Sequence, residues 1–591
     1  MTKLPLLEPV RKPPPEGVFE LGLCMAGAIS AGAYTAGVLD YLIEALDAFA
    51  AERTTRQGKG HAPLHEVRLL ALGGASAGGI CSAIASMFLD KRFAPVRPET
   101  PAAERRGNPL WRAWVEAIDI HQLLGTRDAR PGQKLASLLD CTVLEEIVDT
   151  LLDARPAMAT AQRPWLADPL RSILTLSNLR GVPYGLRFGN ENAFRLWMTS
   201  HADYVRYAVP LDKDTGAAPG DPRSQGETLL LRDLPRGAAR DGFKAIVLGT
   251  SAFPLALAPR VLSRDIAEYE LRAAETATSG LQHLSHGEPL PGWTALTRPD
   301  FAPDHMPEPY QALCVDGGAM NNQPLELVRQ ALAGWAGQNP REPSRASRAT
   351  ILIEPFVNKG TLGPVQAGGL LDTLLPLFNA LVANSRFMPE DLALAAAEDI
   401  ASRYMIAPSR GKSWRGEGAI ASGYLGGFLG FFDQAYREHD FFLGRRNARA
   451  FLQWIFLLPE DNELFADNRW HEADKRTWTV VDTENPTTGP RMLPILPLCG
   501  ELRTREEPLP VWPAGAFAPA SVRGALKGRA QLALPDLRRS LIEALPGTTR
   551  WAGLVDRVIS LADPILTHRV VDAAMKKIAA EVAVLDSHRG V

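Results

Sequence analysis

The sequence carries none of the short motifs that mark metal centres, nucleotide sites or disulfide frameworks. Its five cysteines, Cys24, Cys81, Cys141, Cys314 and Cys499, form no C-x-x-C pair. An odd number at irregular spacing, mostly inside apolar runs, reads as buried reduced thiols rather than bridges. There is no H-E-x-x-H, EF-hand loop or Walker A segment, so no metal and no cofactor are expected. His61 and His65 are four apart, but Pro63 between them breaks the helix that would present both to an ion. Basic residues are not in excess: 64 Lys and Arg face 67 Asp and Glu, a net charge of -3. That balance gives nucleic acid no electrostatic footprint. No run reaches the roughly 18 apolar residues of a membrane helix, and MTKLPLLEPVRKPPPEG has no apolar signal segment. The expectation is a cytoplasmic protein, or one that meets a membrane only peripherally. At 591 residues, the chain calls for more than one core or one heavily elaborated domain.

What is present is concentrated in stretches of small residues between strand and helix patterns. Residues 18–25, VFELGLCM, read as a strand. AGAISAGAYTAG follows at 26–37, and Val38, Leu39, Leu42, Ile43 and Leu46 then recur at helical spacing. After a polar loop at 51–65, an apolar run at 67–72 leads into Gly74-Ala75-Ser76-Ala77-Gly78 and a small-residue helix pattern to Met87. Two successive strand–turn–helix units predict an α/β fold with parallel strands. The G-x-S-x-G sits where a nucleophile elbow needs it, with glycines where strand and helix nearly touch. The alternative is a Gly-rich turn without chemistry. Gly27 to Gly32 has the residues to face backbone N–H groups at an oxyanion, or to be only a tight βα turn; a dinucleotide turn is not matched, because Ile29 stands at the second glycine. Asp316-Gly317-Gly318 follows a short strand at 312–315. It reads as a proton acceptor beside a hydroxyl or as an ordinary Asp-Gly turn. A Ser-His-Asp triad would draw its base from His439, His471, His568 or His588, none in a context that marks it. Arg437-Glu438-His439-Asp440 reads as a polar surface segment.

Taken together and in this order, the motifs resemble those of patatin-like phospholipases. Gly32-Ala33-Tyr34-Thr35-Ala36-Gly37-Val38-Leu39 is similar to that family's first helix, residues 73–79 to its elbow, and Asp316-Gly317-Gly318 with Asn322 and Pro324 to its aspartate motif. Thr250-Ser251-Ala252-Phe253-Pro254 is similar to its Ser-Ala-x-Pro segment. The resemblance covers about residues 16–356. It implies a three-layer α/β/α core with a mainly parallel sheet, a Ser76–Asp316 dyad without histidine, and an oxyanion hole at Gly27, Ala28 and Ile29, joined by Ala77. Gly32, Gly74, Gly78, Gly317 and Gly318 would support it. The implied activity is lipid acyl hydrolysis of the phospholipase A or lysophospholipase type through an acyl-enzyme, on a lipid or other acyl-ester substrate. A non-phospholipid acyl hydrolase or acyltransferase, and a silent lipid-binding or scaffold protein, are the alternatives. Two departures stand out. Ala28 and Ile29 replace family glycines, which alters the hole's shape. Ala31 replaces a family Arg or Lys, which removes a charge that Arg180 or Arg187 would have to supply.

The organisation expected is a loose arm at 1–16, a catalytic domain at 17–360 with insertions near 91–110, 204–240 and 262–310, and a mainly helical region at 361–591. Residues 91–108 read as a mobile surface loop, and 485–521 as a Pro-rich linker or extended crossing. Helical patterns appear at 370–383, 390–405, 537–545 and 551–585. The aromatic stretch at 424–458 reads as core packing ahead of a lipid-facing surface, with Arg445 and Arg446 at an interface or in solvent.

Overall fold

The near-continuous apolar character of Val18–Met25 (β1) suits a strand covered on both faces, and every residue of it is buried. In the computed structural model, which describes residues 10–187, 195–211, 227–270, 309–334, 337–357, 401–411, 414–480, 491–544 and 563–588, β1 lies at the centre of a nine-stranded sheet. Parallel to it run Glu66–Gly74 (β2) and Arg348–Ile353 (β8). Leu166–Arg187 (β3) pairs parallel to β2, and Arg403–Ile406 (β9) parallel to β8. Beyond β3 lie Arg195–Val209 (β4), antiparallel to it, and Glu227–Thr228 (β5). Arg260–Arg264 (β6) and Tyr310–Asp316 (β7) form an antiparallel pair joined to β3 through β7. The expected α/β sheet is therefore present, mixed and mostly parallel.

Helices cover both faces. Gly32–Gly58 (α1) and Ser76–Phe88 (α2) pack on one face, in the main apolar cluster with Leu21, Leu23 and Leu72. Leu325–Ala333 (α5 in chain order, after Thr142–Ala154, α3, and Ala238–Thr250, α4) covers the other, where Val328 packs with Cys24 and Ala71. Glycine is needed at positions 22 and 73, because a Cβ at either would stand 2.5 Å from Val328 Cγ atoms. All five cysteines are buried and none is in a disulfide, as their apolar settings imply.

Several local expectations are overturned. The polar stretch at 51–65 is not a loop throughout, since α1 runs to Gly58. Residues 91–108 are pinned: the Val96 N–H and the Asn108 amide both donate to the buried Asp40 carboxylate, at 3.0 and 2.7 Å. Tyr204 to Val209, placed in the insertion near 204–240, belongs to β4. The arm is tied down at Arg11, whose guanidinium pairs with Glu20 at 2.5 Å. Nor is residue 360 a boundary of the sheet, because β9 lies beyond it. The helix at 370–383, most of that at 390–405 and most of the insertion at 262–310 fall outside the described residues.

The C-terminal part is largely helical: Gln434–Trp454 (α6), Arg523–Ala544 (α7) and Asp563–Ser587 (α8). α6 lies against α1 so closely that a Cβ on Gly37 would strike the Phe441 carbonyl, and one on Gly444 the Tyr34 carbonyl. Arg445, expected at an interface or in solvent, is wholly buried there, bonded to Asp40, to Glu44 at 2.6 Å and to Glu507 at 2.8 Å. Phe431, Phe432, Phe441, Phe442, Phe451 and Phe456 are core residues, and Trp454 is exposed. Among the described residues no helix is long and apolar enough to cross a membrane.

Candidate active site

Ser76 follows the last residues of β2 and opens α2. Its φ of 51° is left-handed, a conformation that costs a non-glycine residue energy and persists only where the surroundings enforce it. The enforcement is visible in the flanking glycines. A Cβ on Gly78 would collide with the Met25 carbonyl at the end of β1, and one on Gly74 with the Gly78 backbone. The Ala75 N–H donates to the Met25 carbonyl at 3.3 Å. The strained elbow expected from G-x-S-x-G is thus formed, with the serine at the positive end of a helix dipole.

Asp316 reaches Ser76 from a strand running the other way. On the same edge of β3, β2 pairs in parallel as far as Gly74 beside Leu174, and β7 pairs antiparallel from Asp316 beside Leu176. The two strands therefore meet end to end, and their last residues converge. Ser76 Oγ donates to Asp316 Oδ2 at 2.6 Å, and the Gly318 N–H donates to Oδ1 at 2.7 Å. Gly317 is required because a Cβ there would strike Thr175 of β3. The aspartate backbone is fixed as well. Its N–H donates to the Ala252 carbonyl at 2.9 Å, and its carbonyl accepts from Ser177 Oγ at 2.7 Å. This gives the Thr250 to Pro254 segment a physical task. Burial pushes the Asp316 carboxyl up to about 6, against the opposing pull of the Ser76 and Gly318 hydrogen bonds. A buried carboxylate at that value, on a serine hydroxyl, is a competent proton acceptor near neutrality.

Gly27 closes the third side. A Cβ on it would lie 3.0 Å from Ser76 Cβ and would strike Asn322 Oδ1. The Gly27 N–H donates to the Asn322 carbonyl at 3.3 Å, and the Asn322 amide returns a bond to the Gly27 carbonyl at 3.4 Å. Ala28 precedes a 3-10 turn over Ile29–Ala31, so the N–H groups that open this turn and α2, Ala77 included, have no acceptor within their own helix. Ile29 has φ 49°, so the position that is glycine in the resembled family keeps a glycine-like conformation with a branched side chain. Gly32 is held free of a side chain by the Trp114 ring.

Other candidates lie elsewhere. His439 is not on the surface: it is buried, with Nδ1 2.7 Å from Asp440 and Nε2 2.6 Å from Arg410. His65 is buried against Trp470, bonded to the Ile495 carbonyl at 2.6 Å, and burial pushes its imidazole down to about 3. His568 pairs with Asp572 and His588 meets Tyr424, while His471 begins a short helix at Glu472. No histidine bonds the dyad among the described residues. Arg180 stacks on Tyr310 and donates to the Gln311 carbonyl, at the opposite end of β7 from Asp316, so it does not replace a charge at position 31. The Arg187 side chain is outside the described residues. Ala31 is fully buried, which explains why no charged side chain stands there. The sequence reading missed Ser30 and the segment at 424–432, which cover the turn; Ser30 Oγ bonds the Gly427 carbonyl and accepts from the Gly430 N–H at 3.1 Å. Their only local signal was the glycine-rich run inside an aromatic stretch.

Among curated proteins, "Uncharacterized protein y4iI" of Sinorhizobium fredii (strain NBRC 101917 / NGR234) is 33% identical over 533 residues, spanning 84% of this chain and 72% of its own. A share that large necessarily extends past residue 360 into the helical region. No family model matches the chain.

Proposed function

This chain belongs to one family with the Sinorhizobium fredii protein y4iI, and we propose that its site is that of a serine acyl-ester hydrolase acting on lipids through a Ser76–Asp316 dyad. The observation that carries the reading is the 2.6 Å hydrogen bond from a left-handed elbow serine to a buried aspartate whose carboxyl is pushed up to about 6. The patatin-like motifs at 27–39, 73–79, 250–254 and 316–324 and the layered α/β core are consistent with it.

In this mechanism Asp316 accepts the Ser76 proton as Oγ attacks the ester carbonyl. Charge then develops on the carbonyl oxygen. The N–H groups of Ala28 and Ile29, with that of Ala77 at the start of α2, are the donors available to it; that of Gly27, expected among them, is engaged by the Asn322 carbonyl. Collapse of the tetrahedral species expels the alcohol, which takes the proton back from Asp316. Water then enters by the same route in reverse and releases the acid from the acyl-enzyme. The Gly318 N–H on Oδ1 keeps the second carboxylate oxygen occupied, so Oδ2 alone handles the proton.

Phospholipase A or lysophospholipase chemistry follows from the motif resemblance. A neutral acyl ester is the second reading, favoured by the buried Ala31 and by the distance of Arg180 from the dyad. A fluorophosphonate probe applied to the parent, Ser76→Ala and Asp316→Asn, with release of acid measured from phospholipids, lysophospholipids and glycerides, tests both. We expect labelling and turnover in the parent, no labelling of Ser76→Ala, and turnover in Asp316→Asn reduced by about 10²–10⁴-fold. A parent that neither labels nor turns over any acyl ester overturns the reading.

A further inference from the structure

Ile29 is held in a left-handed conformation that a branched side chain disfavours, and its own side chain does not explain why it stays there. The explanation lies in the adjacent Ser30, whose partners stand 397 and 400 residues further along the chain. Ser30 is wholly buried, and its hydroxyl both donates to the Gly427 carbonyl and accepts from the Gly430 N–H. A Cβ on Gly430 would stand 2.6 Å from that Oγ, and one on Gly427 would stand 3.3 Å from Ile29 Cδ1. The opposing segment is itself anchored. The Leu425 N–H donates to Glu581 of α8 at 3.2 Å, Tyr424 meets His588 at 2.9 Å, and the buried Arg437 guanidinium donates to the Gly430 carbonyl at 2.7 Å. Phe428 also meets Phe253 edge to face at 5.9 Å. Phe253 directly follows Ala252, whose carbonyl fixes the Asp316 N–H.

We propose that Ser30 is a positioning residue for the oxyanion turn, and that the segment at 424–432 completes the site by holding that turn through it. The inference rests on the hydrolase reading above and adds to it a role for the C-terminal region. Removing the hydroxyl leaves the Gly430 N–H and Gly427 carbonyl unpaired in a buried place and frees the backbone at Ile29 to relax. Donors placed for a developing oxyanion lose effect steeply with small displacements, whereas ground-state binding of the acyl chain does not depend on them.

The test uses the full chain. Ser30→Ala and, from the opposite side of the contact, Gly430→Ala are compared with the parent after end-point titration of active serine with fluorophosphonate. Three quantities are read: kcat per titrated site, KM for a soluble acyl ester, and affinity for an alkyl trifluoromethyl ketone, whose adduct carries the oxyanion. We expect kcat per site to fall about 10-fold or more, KM to stay within about two-fold, and ketone affinity to fall with kcat. A merely structural role lowers the titrated fraction and leaves the surviving sites at the parent rate. That outcome, in whichever variant yields folded protein, overturns the inference while leaving the hydrolase reading intact. A parent without labelling or turnover removes both.

Discussion

At the scale of single residues, the site is an arrangement of backbone positions that ordinary side chains avoid. Ser76 and Ile29 are both left-handed, and the two differ in how legible they were. The serine's conformation follows from G-x-S-x-G after a strand, a short-range pattern. Nothing local announces that an isoleucine would accept a glycine's angles, because the reason is Ser30 and Gly427. Ile29→Gly should therefore be more stable than Ile29→Ala by about 1 kcal/mol, the reverse of the usual order, since alanine keeps the strain and loses the packing while glycine removes the strain. Chemical denaturation of the two variants decides it. The Asp316 carboxyl, raised by burial to about 6 from 3.8, makes two predictions. Turnover should rise with pH through about 6 and level off above it, as the base loses its proton. The folded state binds that proton more tightly than the unfolded, so its stabilising effect is full below about 3.8 and is lost as pH rises through 6. Asp316→Asn should accordingly gain of order 2–3 kcal/mol over the parent above pH 6, with the gain vanishing toward pH 4. Thermal melting across that range is the measurement.

At the scale of elements, the strand and helix patterns of the first half were readable because apolar periodicity and glycine punctuation are local. The direction of β7 was not, since pairing partners are chosen by the sheet and not by the strand. The aromatic side of α6 is the core face expected of it, but its polar residues were misread for another reason. His439, Asp440 and Arg445 give it a polar pattern, yet all three are buried and satisfied by one another or by α1 and Glu507. Polarity in a sequence cannot distinguish solvation from internal pairing. The reciprocal approach of α1 and α6 is set by Gly37 and Gly444, each facing the other helix's backbone. Gly37→Ala and Gly444→Ala should each cost about 1–3 kcal/mol or more by forcing the helices apart, far beyond what a better helix former returns. Denaturant midpoints would check this, with alanine at the open Gly528 as the contrasting case.

At the scale of the whole molecule, the region beyond 360 is structurally continuous with the part that bears the motifs. It contributes β9 to the sheet, α6 to the α1 face and the cover on the turn over residues 27–31. Arg445 links the two across a buried site shared with Asp40, Glu44 and Glu507. Arg445→Ala should cost about 3–5 kcal/mol near neutral pH, because it strands carboxylates without a counter-charge, and a single cooperative melt should persist at a lower temperature. Two separated transitions in calorimetry would contradict that coupling. The same view gives β3 a significance in the history of the chain. The distance between the ends of β2 and β7 is counted out along β3, from Leu174 to Leu176. One residue gained or lost in that interval would shift one strand by about 3.3 Å and turn its side chains to the other face. Substitutions there are limited by packing, since Leu174, Thr175 and Leu176 are wholly buried, but conservative ones keep the spacing. Insertions and deletions do not, so length at this point should be inherited more strictly than sequence.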